Sequence, residues 1–210
     1  MSDDAVGRTV HAYDLDAVAY AEASPPVPDR IRADVAALAA RLGAGARVLE
    51  VGSGGGRDAL LLEDAGLDVR RTDVTPGFVA LLREKGHVCD LLDPLVDDLG
   101  SPDGPYDAVW ANASLLHVRR SDLPVVLARL ADVVRPGGLL RASWKEGDGE
   151  AWSTHGPVSR PRHFTYWRAD DLRQVVGAAG WSVEEQRGAV PGSRGESWLE
   201  VLAVRDGVSA

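Results

Sequence analysis

The stretch 47–56, Arg-Val-Leu-Glu-Val-Gly-Ser-Gly-Gly-Gly, constrains this chain more than any other. An apolar run, Arg47 to Val51, breaks off at a glycine cluster, and a helix-like segment over Asp58 to Ala65 begins at once. A buried strand that feeds a tight turn onto a helix N-terminus reads this way. Glycine there lets a ligand reach the backbone, because a Cβ would hold it off. Glu50 ends the strand, just before the turn. A phosphate has little use for a carboxylate at that place, whereas a ligand carrying an ammonium group does.

Two further strands point the same way. Leu67 to Thr72 reads as a second strand ending at Asp73, which falls 21 positions after Gly52. That is close to the ~20-residue offset of an acid that grips ribose hydroxyls. A third short strand, His87 to Cys89, ends at Asp90. In an open α/β sheet, ligands bind at the carboxyl ends of the strands. Three acids along that edge suit a ligand with an ammonium, a ribose diol and an exocyclic amine. S-adenosylmethionine (SAM) has all three.

In these residues the chain resembles the class I SAM-dependent methyltransferases, chiefly over 46–145. Glu50, Gly52, Gly54 and Gly56 match the E/D-x-G-x-G-x-G motif, with Ser53 inside it. Asp73, followed by Val74, matches the acid ending the second strand. Asp90, followed by Leu91, matches the adenine-side acid. Tyr106 to Trp110 is similar to the fourth strand, and Arg135-Pro-Gly-Gly to the approach to the fifth, Leu139 to Trp144. The block Ala-Ser-Leu-Leu-His-Val over 113–118 is similar to one group of small bacterial members with no firm substrate.

The resemblance implies a Rossmann-like, doubly wound α/β sheet of seven strands, mostly parallel, with an antiparallel C-terminal hairpin. It implies SAM as cofactor and a small-molecule methyl acceptor. Ala111 and Asn112 fall where the family lines the cofactor or acceptor. Tyr13 and Tyr20 stand where an N-terminal tyrosine closes over the methionine end, though core packing is an equal competitor. Arg57 opposes the helix dipole near the start of its helix. The cofactor carboxylate would partner it, and a solvated arginine is equally consistent. His117 falls on the acceptor side, where a histidine can act as general base near neutral pH. A structural histidine bonded to a backbone carbonyl fits the pattern as well. Lys145 and Arg162 are candidates to grip an anionic acceptor.

Two readings compete with methyl transfer. A nicotinamide-dependent oxidoreductase shares the fold logic, but G-x-G-x-x-G needs glycine at position 57, where the chain has Arg57. A catalytically inactive SAM-binding scaffold would keep the same motifs.

Composition narrows the partners. The chain has 210 residues, which suits one domain over 1–210, with an N-terminal lid or helix over 1–28. Its 23 basic and 32 acidic residues leave a net charge of −9. Nucleic-acid affinity rests on phosphate contacts, so nucleic acid is not an expected partner. The Asn/Asp-Pro-Pro-Tyr motif of amine-methylating nucleic-acid enzymes is absent, position 111 onward reading Ala-Asn-Ala-Ser. The single cysteine, Cys89, excludes an intrachain disulfide and reads as a small core residue. No Cys–His cluster suggests a metal. No apolar signal region or membrane-length run is evident, so the expectation is a cytoplasmic protein without membrane contact.

Along the chain, residues 11–22 read as one helix carrying both tyrosines on a shared face. Asp29 to Leu42 reads as a helix, Ser121 as the cap of another running to Val134, and Arg168 to Ala179 as the last. Residues 146–166 read as a loop or lid. Trp110 and Trp144 are placed next to the site, where aromatic residues would suit an apolar or cyclic acceptor. Trp181 to Val190 and Trp198 to Arg205 form the closing hairpin.

Overall fold

The structure, a computed structural model, describes residues 5–154, 157–192 and 195–207. Strands and helices alternate through the middle of the chain. Helix α3 (Asp29–Leu42) leads into β1 (Arg47–Val51), α4 (Arg57–Asp64), β2 (Asp68–Asp73), α5 (Pro76–Glu84) and β3 (Asp90–Leu91). Then come β4 (Tyr106–Ala111), a 3-10 turn (Leu115–His117), α6 (Leu123–Val133) and β5 (Val134–Glu146). Strands β6 (Glu150–Ser153) and β7 (Arg162–Trp167), helix α7 (Ala169–Ala178), and strands β8 (Trp181–Pro191) and β9 (Ser197–Arg205) complete it.

The first five strands run parallel in the order β3-β2-β1-β4-β5. Strand β9 pairs antiparallel with β5 from Leu139 to Lys145, and β8 pairs antiparallel with β9. Those seven strands are the expected sheet with its antiparallel end. Successive residues of the central strands feed two different cores, as a sheet covered on both faces requires. Val48, Ala108, Trp110 and Leu139 pack under Ile31, Val35 and Leu38 of α3. Leu49, Val109 and Leu140 pack under Leu127 and Leu130 of α6 and Leu172 of α7. Each such leucine contributes about 1.5–3 kcal/mol by leaving water.

The structure corrects several sequence expectations. Residues 146–166 are not simply a loop. Glu150–Ser153 pairs antiparallel with Arg162–Trp167, and β7 adds to β5 at Lys145 and Glu146 beyond the end of β4. The polar, glycine-bearing composition hid this hairpin. Residues 11–22 are two helices, α1 (Ala5–Leu15) and α2 (Ala17–Glu22), broken at Asp16. There the Asp16 carboxylate accepts hydrogen bonds from the Ser159 N–H and Oγ, both at 2.7 Å, and so serves the hairpin side. The third strand is Asp90–Leu91 rather than 87–89, and Val88 is 79% exposed. Ser121 does not cap α6, because its hydroxyl donates to Asp122 Oδ1 instead. Trp144 lies in the core, away from the ligand-facing surface. Cys89 is fully buried, and burial pushes its thiol up to about 12, as a core residue requires.

Candidate active site

The glycine turn lies at the carboxyl edge of the sheet, and its three alternating glycines do different work. Gly52 and Gly56 adopt φ of 82° and 84°, and both are crowded. A Cβ on Gly52 would stand 2.4 Å from Ser114 Cβ, and one on Gly56 2.5 Å from Leu82 Cδ2. Gly54, at φ 52°, faces open space, with nothing within 4 Å of an added Cβ. That space belongs to a cavity lined by Gly54, Asp73, Val74, Phe78, Leu92 and Leu95 among others. Helix α1 closes over it with Val6, Thr9, Val10 and Tyr13.

Asp73 is the acid of this cavity's wall that stands beside the glycine turn. Its two oxygens accept the Gly54 and Thr75 N–H groups, each at 2.8 Å, which fixes the carboxylate beside the turn. Burial raises its pKa, and those backbone donors oppose the rise. Glu50 lines neither cavity of the site. It is buried one layer beneath the turn, where Oε2 accepts the Ser53 hydroxyl. That position leaves only an indirect reach toward a ligand's ammonium. Burial pushes Glu50 up to about 8.

Asp90 departs from the expected adenine-side role. It takes a 2.8 Å hydrogen bond from Arg70 Nε and is absent from the cavity wall. Arg70 also donates to the Gly100 carbonyl and the Tyr106 hydroxyl, so it clamps Asp90 to the loop before β4. Leu91 is 55% exposed and likewise outside. The acid that does line the cavity here is Asp93.

A second cavity adjoins the first on the far side of Tyr13 and His117. Arg57, Asn112, Lys145, Arg162, Phe164 and Trp198 are among its walls. Ala111 is buried at the end of β4, just behind them. Arg57 donates from Nη1 to the Pro25 carbonyl at 2.8 Å and from Nε to Asp58 Oδ1 at 3.2 Å. Asp58, which sequence reasoning missed, also accepts from Trp110 Nε1 and from Asn112 Nδ2 at 2.7 Å. Its only signal was an acid in the first turn of α4, which reads as ordinary complement to the helix dipole. Asn112 is held from its other end by the Ser143 hydroxyl at 2.8 Å. The same oxygen accepts the N–H of Ala113, whose φ of 56° is strained for a residue with a Cβ.

Between the cavities runs a chain of hydrogen bonds. Arg162 Nη1 donates to Tyr13 Oη at 2.8 Å, and Tyr13 Oη lies 3.0 Å from His117 Nε2. His117 Nδ1 lies 2.6 Å from the His163 carbonyl. A carbonyl only accepts, so Nδ1 carries the hydrogen. Nε2 of the neutral ring therefore accepts from the tyrosine. Burial, with the neighbouring Arg162 and Lys145 charges, holds His117 down to about 3. Burial and nearby Tyr20 hold the Tyr13 phenol well above its ordinary value. The expectation of His117 as a directly acting base near neutral pH meets two obstacles here: its free nitrogen is occupied, and its ring resists protonation. Tyr13 and Tyr20, on different helices, meet edge to face at 5.2 Å.

Comparison with known proteins agrees with this architecture. The chain belongs to the methyltransferase domain family, which it matches over residues 26–186. SAM is the cofactor of this class, and the nicotinamide reading falls away. A ubiquinone biosynthesis O-methyltransferase of Xanthomonas axonopodis pv. citri (strain 306) is 36% identical over 102 residues, 46% of this chain and 42% of that protein. The CcbJ methyltransferase from Streptomyces caelestis superposes with a TM-score of 0.73 at 20% identity, over 93% of this chain and 98% of that one. The Burkholderia thailandensis 1,6-didemethyltoxoflavin-N1-methyltransferase, solved with its acceptor and S-adenosylhomocysteine, gives 0.69 at 22% identity, over 94% and 88%. The chain spans less than half the length of the curated relatives it matches. Among the described residues, no helix is long and apolar enough to cross a membrane.

The residues present fit SAM. The space over Gly54, which a Cβ would fill, is where backbone must approach a ligand closely. The fixed carboxylate of Asp73 suits a diol, and the slot of Val74, Phe78, Leu92 and Leu95 suits a flat base.

Proposed function

We propose that the protein transfers the methyl group of SAM to an O, N or C nucleophile of a small molecule. The observation that carries this reading is that Tyr13 and His117 belong to the walls of both cavities. Donor and acceptor compartments thus meet at one place. When bound, SAM supplies an already activated methyl group.

The chain's own residues then have modest tasks. Asp73 and the turn at Gly52 and Gly54 hold the cofactor, and Arg57 and Asn112, on the second cavity's wall, are the residues for its methionine end where the two cavities meet. Helix α1 excludes water from above. Alignment of this kind is worth up to ~7–11 kcal/mol in favourable cases. His117 acts as a positioning residue: by accepting from the Tyr13 hydroxyl it fixes that hydroxyl where the two cavities meet. The didemethyltoxoflavin bound in the Burkholderia thailandensis methyltransferase supports a cyclic small molecule as acceptor. A cytoplasmic protein acting on such a molecule, with one domain over the whole chain, completes the proposal.

The test is titration calorimetry with SAM, S-adenosylhomocysteine and NADPH, followed by measurement of SAM turnover across small cyclic acceptors. Micromolar binding of the two adenosyl compounds and acceptor-dependent turnover are expected. Binding without turnover for any acceptor would favour a SAM-binding scaffold.

A further inference from the structure

Helix α1 covers the first cavity, yet it is fastened to a segment from the other end of the chain. Three of its acceptors, Thr9, Tyr13 and Asp16, stand four and three positions apart, which sets them on one side of the N-terminal segment. Each takes a hydrogen bond from the stretch that leads into β7. Thr9 Oγ1 accepts the His163 N–H at 2.9 Å, and Tyr13 Oη accepts from Arg162 Nη1 at 2.8 Å. Asp16 accepts the Ser159 N–H and Oγ, both at 2.7 Å. The partners descend from 163 through 162 to 159 as the helix ascends, so this stretch lies antiparallel along α1. Beyond the row, the Arg8 guanidinium sits 4.0 Å over the Trp152 ring of β6.

The row is graded from the inside outward. Thr9 and His163 are buried, whereas Ser159 is exposed, so Asp16 closes the open end. An aspartate just ahead of α2 would ordinarily cap that helix. This one makes no side-chain cap bond to α2 and turns its carboxylate to Ser159 instead. Hydrogen bonds to an ionised carboxylate are roughly twice as strong as neutral ones. Among the described residues, none of 159–163 lines the first cavity. Their hold on α1 is therefore not a ligand contact there. It governs whether Val6, Val10 and Tyr13 stay down over the cavity. Opening of such lids sets the exchange rate of many enzymes.

We propose that Asp16 and Ser159 are the latch of a lid: α1 parts from residues 159–163 to admit or release the cofactor, and the latch sets how fast it does so. This rests on the reading of the first cavity as the cofactor's. The latch touches no ligand, so it holds the empty and the filled lid alike. Loosening it speeds entry and exit together and leaves affinity nearly unchanged, because only a differential interaction shifts an equilibrium.

The experiment is stopped-flow mixing of the full chain with S-adenosylhomocysteine, read by tryptophan fluorescence. Asp16→Ala is expected to raise the association and dissociation rate constants each about fivefold or more, with Kd within about threefold of wild type. Ser159→Ala keeps the backbone N–H bond and should give a smaller rise in both. Amide hydrogen exchange at 159–163 should slow when S-adenosylhomocysteine binds to wild type, although these residues do not line the first cavity. An association or a dissociation rate constant unchanged in Asp16→Ala would overturn the proposal. So would a Kd raised about tenfold, which would make Asp16 a binding residue, or exchange at 159–163 indifferent to the ligand. Ser159→Ala removes one exposed hydroxyl, and the exchange measurement needs no variant, so the test stands even if Asp16→Ala misfolds. Failure of wild type to bind S-adenosylhomocysteine would instead sink the reading of the cavity.

Discussion

Tyr13 Oη and His117 Nε2 lie 3.0 Å apart, joining the helix over one cavity to the turn beneath the other. With His117 held down to about 3, the ring stays neutral across the working range. Turnover should therefore show no histidine limb between pH 5 and 9. Tyr13→Phe removes the hydroxyl at the junction of the two cavities and should lower kcat about tenfold, a small share of what alignment supplies. His117→Ala should lower kcat in the same way and leave that flat profile intact. A pH–rate profile in which a limb near pH 6–7 vanishes with His117→Ala would instead restore it as a titrating base.

Asp73 is anchored by two backbone N–H groups and faces the cavity, so its carboxylate is pre-aimed. Asp73→Ala should weaken SAM binding by about 100-fold, or ~2.7 kcal/mol. Calorimetry checks this directly, with circular dichroism to show that the variant folds. Affinity within threefold of wild type would count against Asp73 as a cofactor ligand.

Much of this was legible in the sequence where one local rule decides it. The strand–glycine–helix turn, Asp73, the parallel order and the closing hairpin each follow from short-range pattern. What the sequence hid depends on partners far along the chain. Asp90 resembles a ligand acid until Arg70 and the loop before β4 claim it. The 3-10 turn sets His117 against Tyr13, 104 positions away. Asp16 breaks the N-terminal helix where Ser159 takes its carboxylate, 143 positions away. In the β6–β7 hairpin only 162–167, Arg-His-Phe-Thr-Tyr-Trp, carries β-forming residues, and its short polar partner Glu150–Ser153 gives no sign of the pairing that brings Arg162 and Phe164 to the site.

The glycine turn offers a separation of binding from stability. Gly54→Ala puts a methyl group into open cavity space, at a left-handed φ costing roughly 1–2 kcal/mol. It should obstruct the cofactor strongly while lowering Tm by only about 2–8 °C. Gly56→Ala meets Leu82 Cδ2 at 2.5 Å and should add a packing cost of about 1–3 kcal/mol to the same backbone cost. Its Tm should fall further than that of Gly54→Ala. Equal Tm losses with equal affinity losses would show that both glycines serve only the turn.

Glu50 makes the pH dependence of stability a probe of the buried layer. Burial raises its pKa from 4.5 to about 8 in the fold. Between those values the folded state binds the extra proton, so stability is greatest below pH 4.5 and is lost as pH rises toward 8. His117 works in the opposite sense, adding stability as pH rises from about 3 to 6.5. Above pH 6.5 the histidine contribution is complete, which leaves Glu50 as the falling component. Wild type should lose Tm between pH 6.5 and 8, and Glu50→Gln, neutral throughout, should lose distinctly less. SAM brings a cation near this layer and should favour the ionised carboxyl. Binding near pH 7 should then release a proton in wild type but not in Glu50→Gln, visible as a buffer-dependent binding enthalpy. A slope and a proton release that survive Glu50→Gln unchanged would assign both to another group.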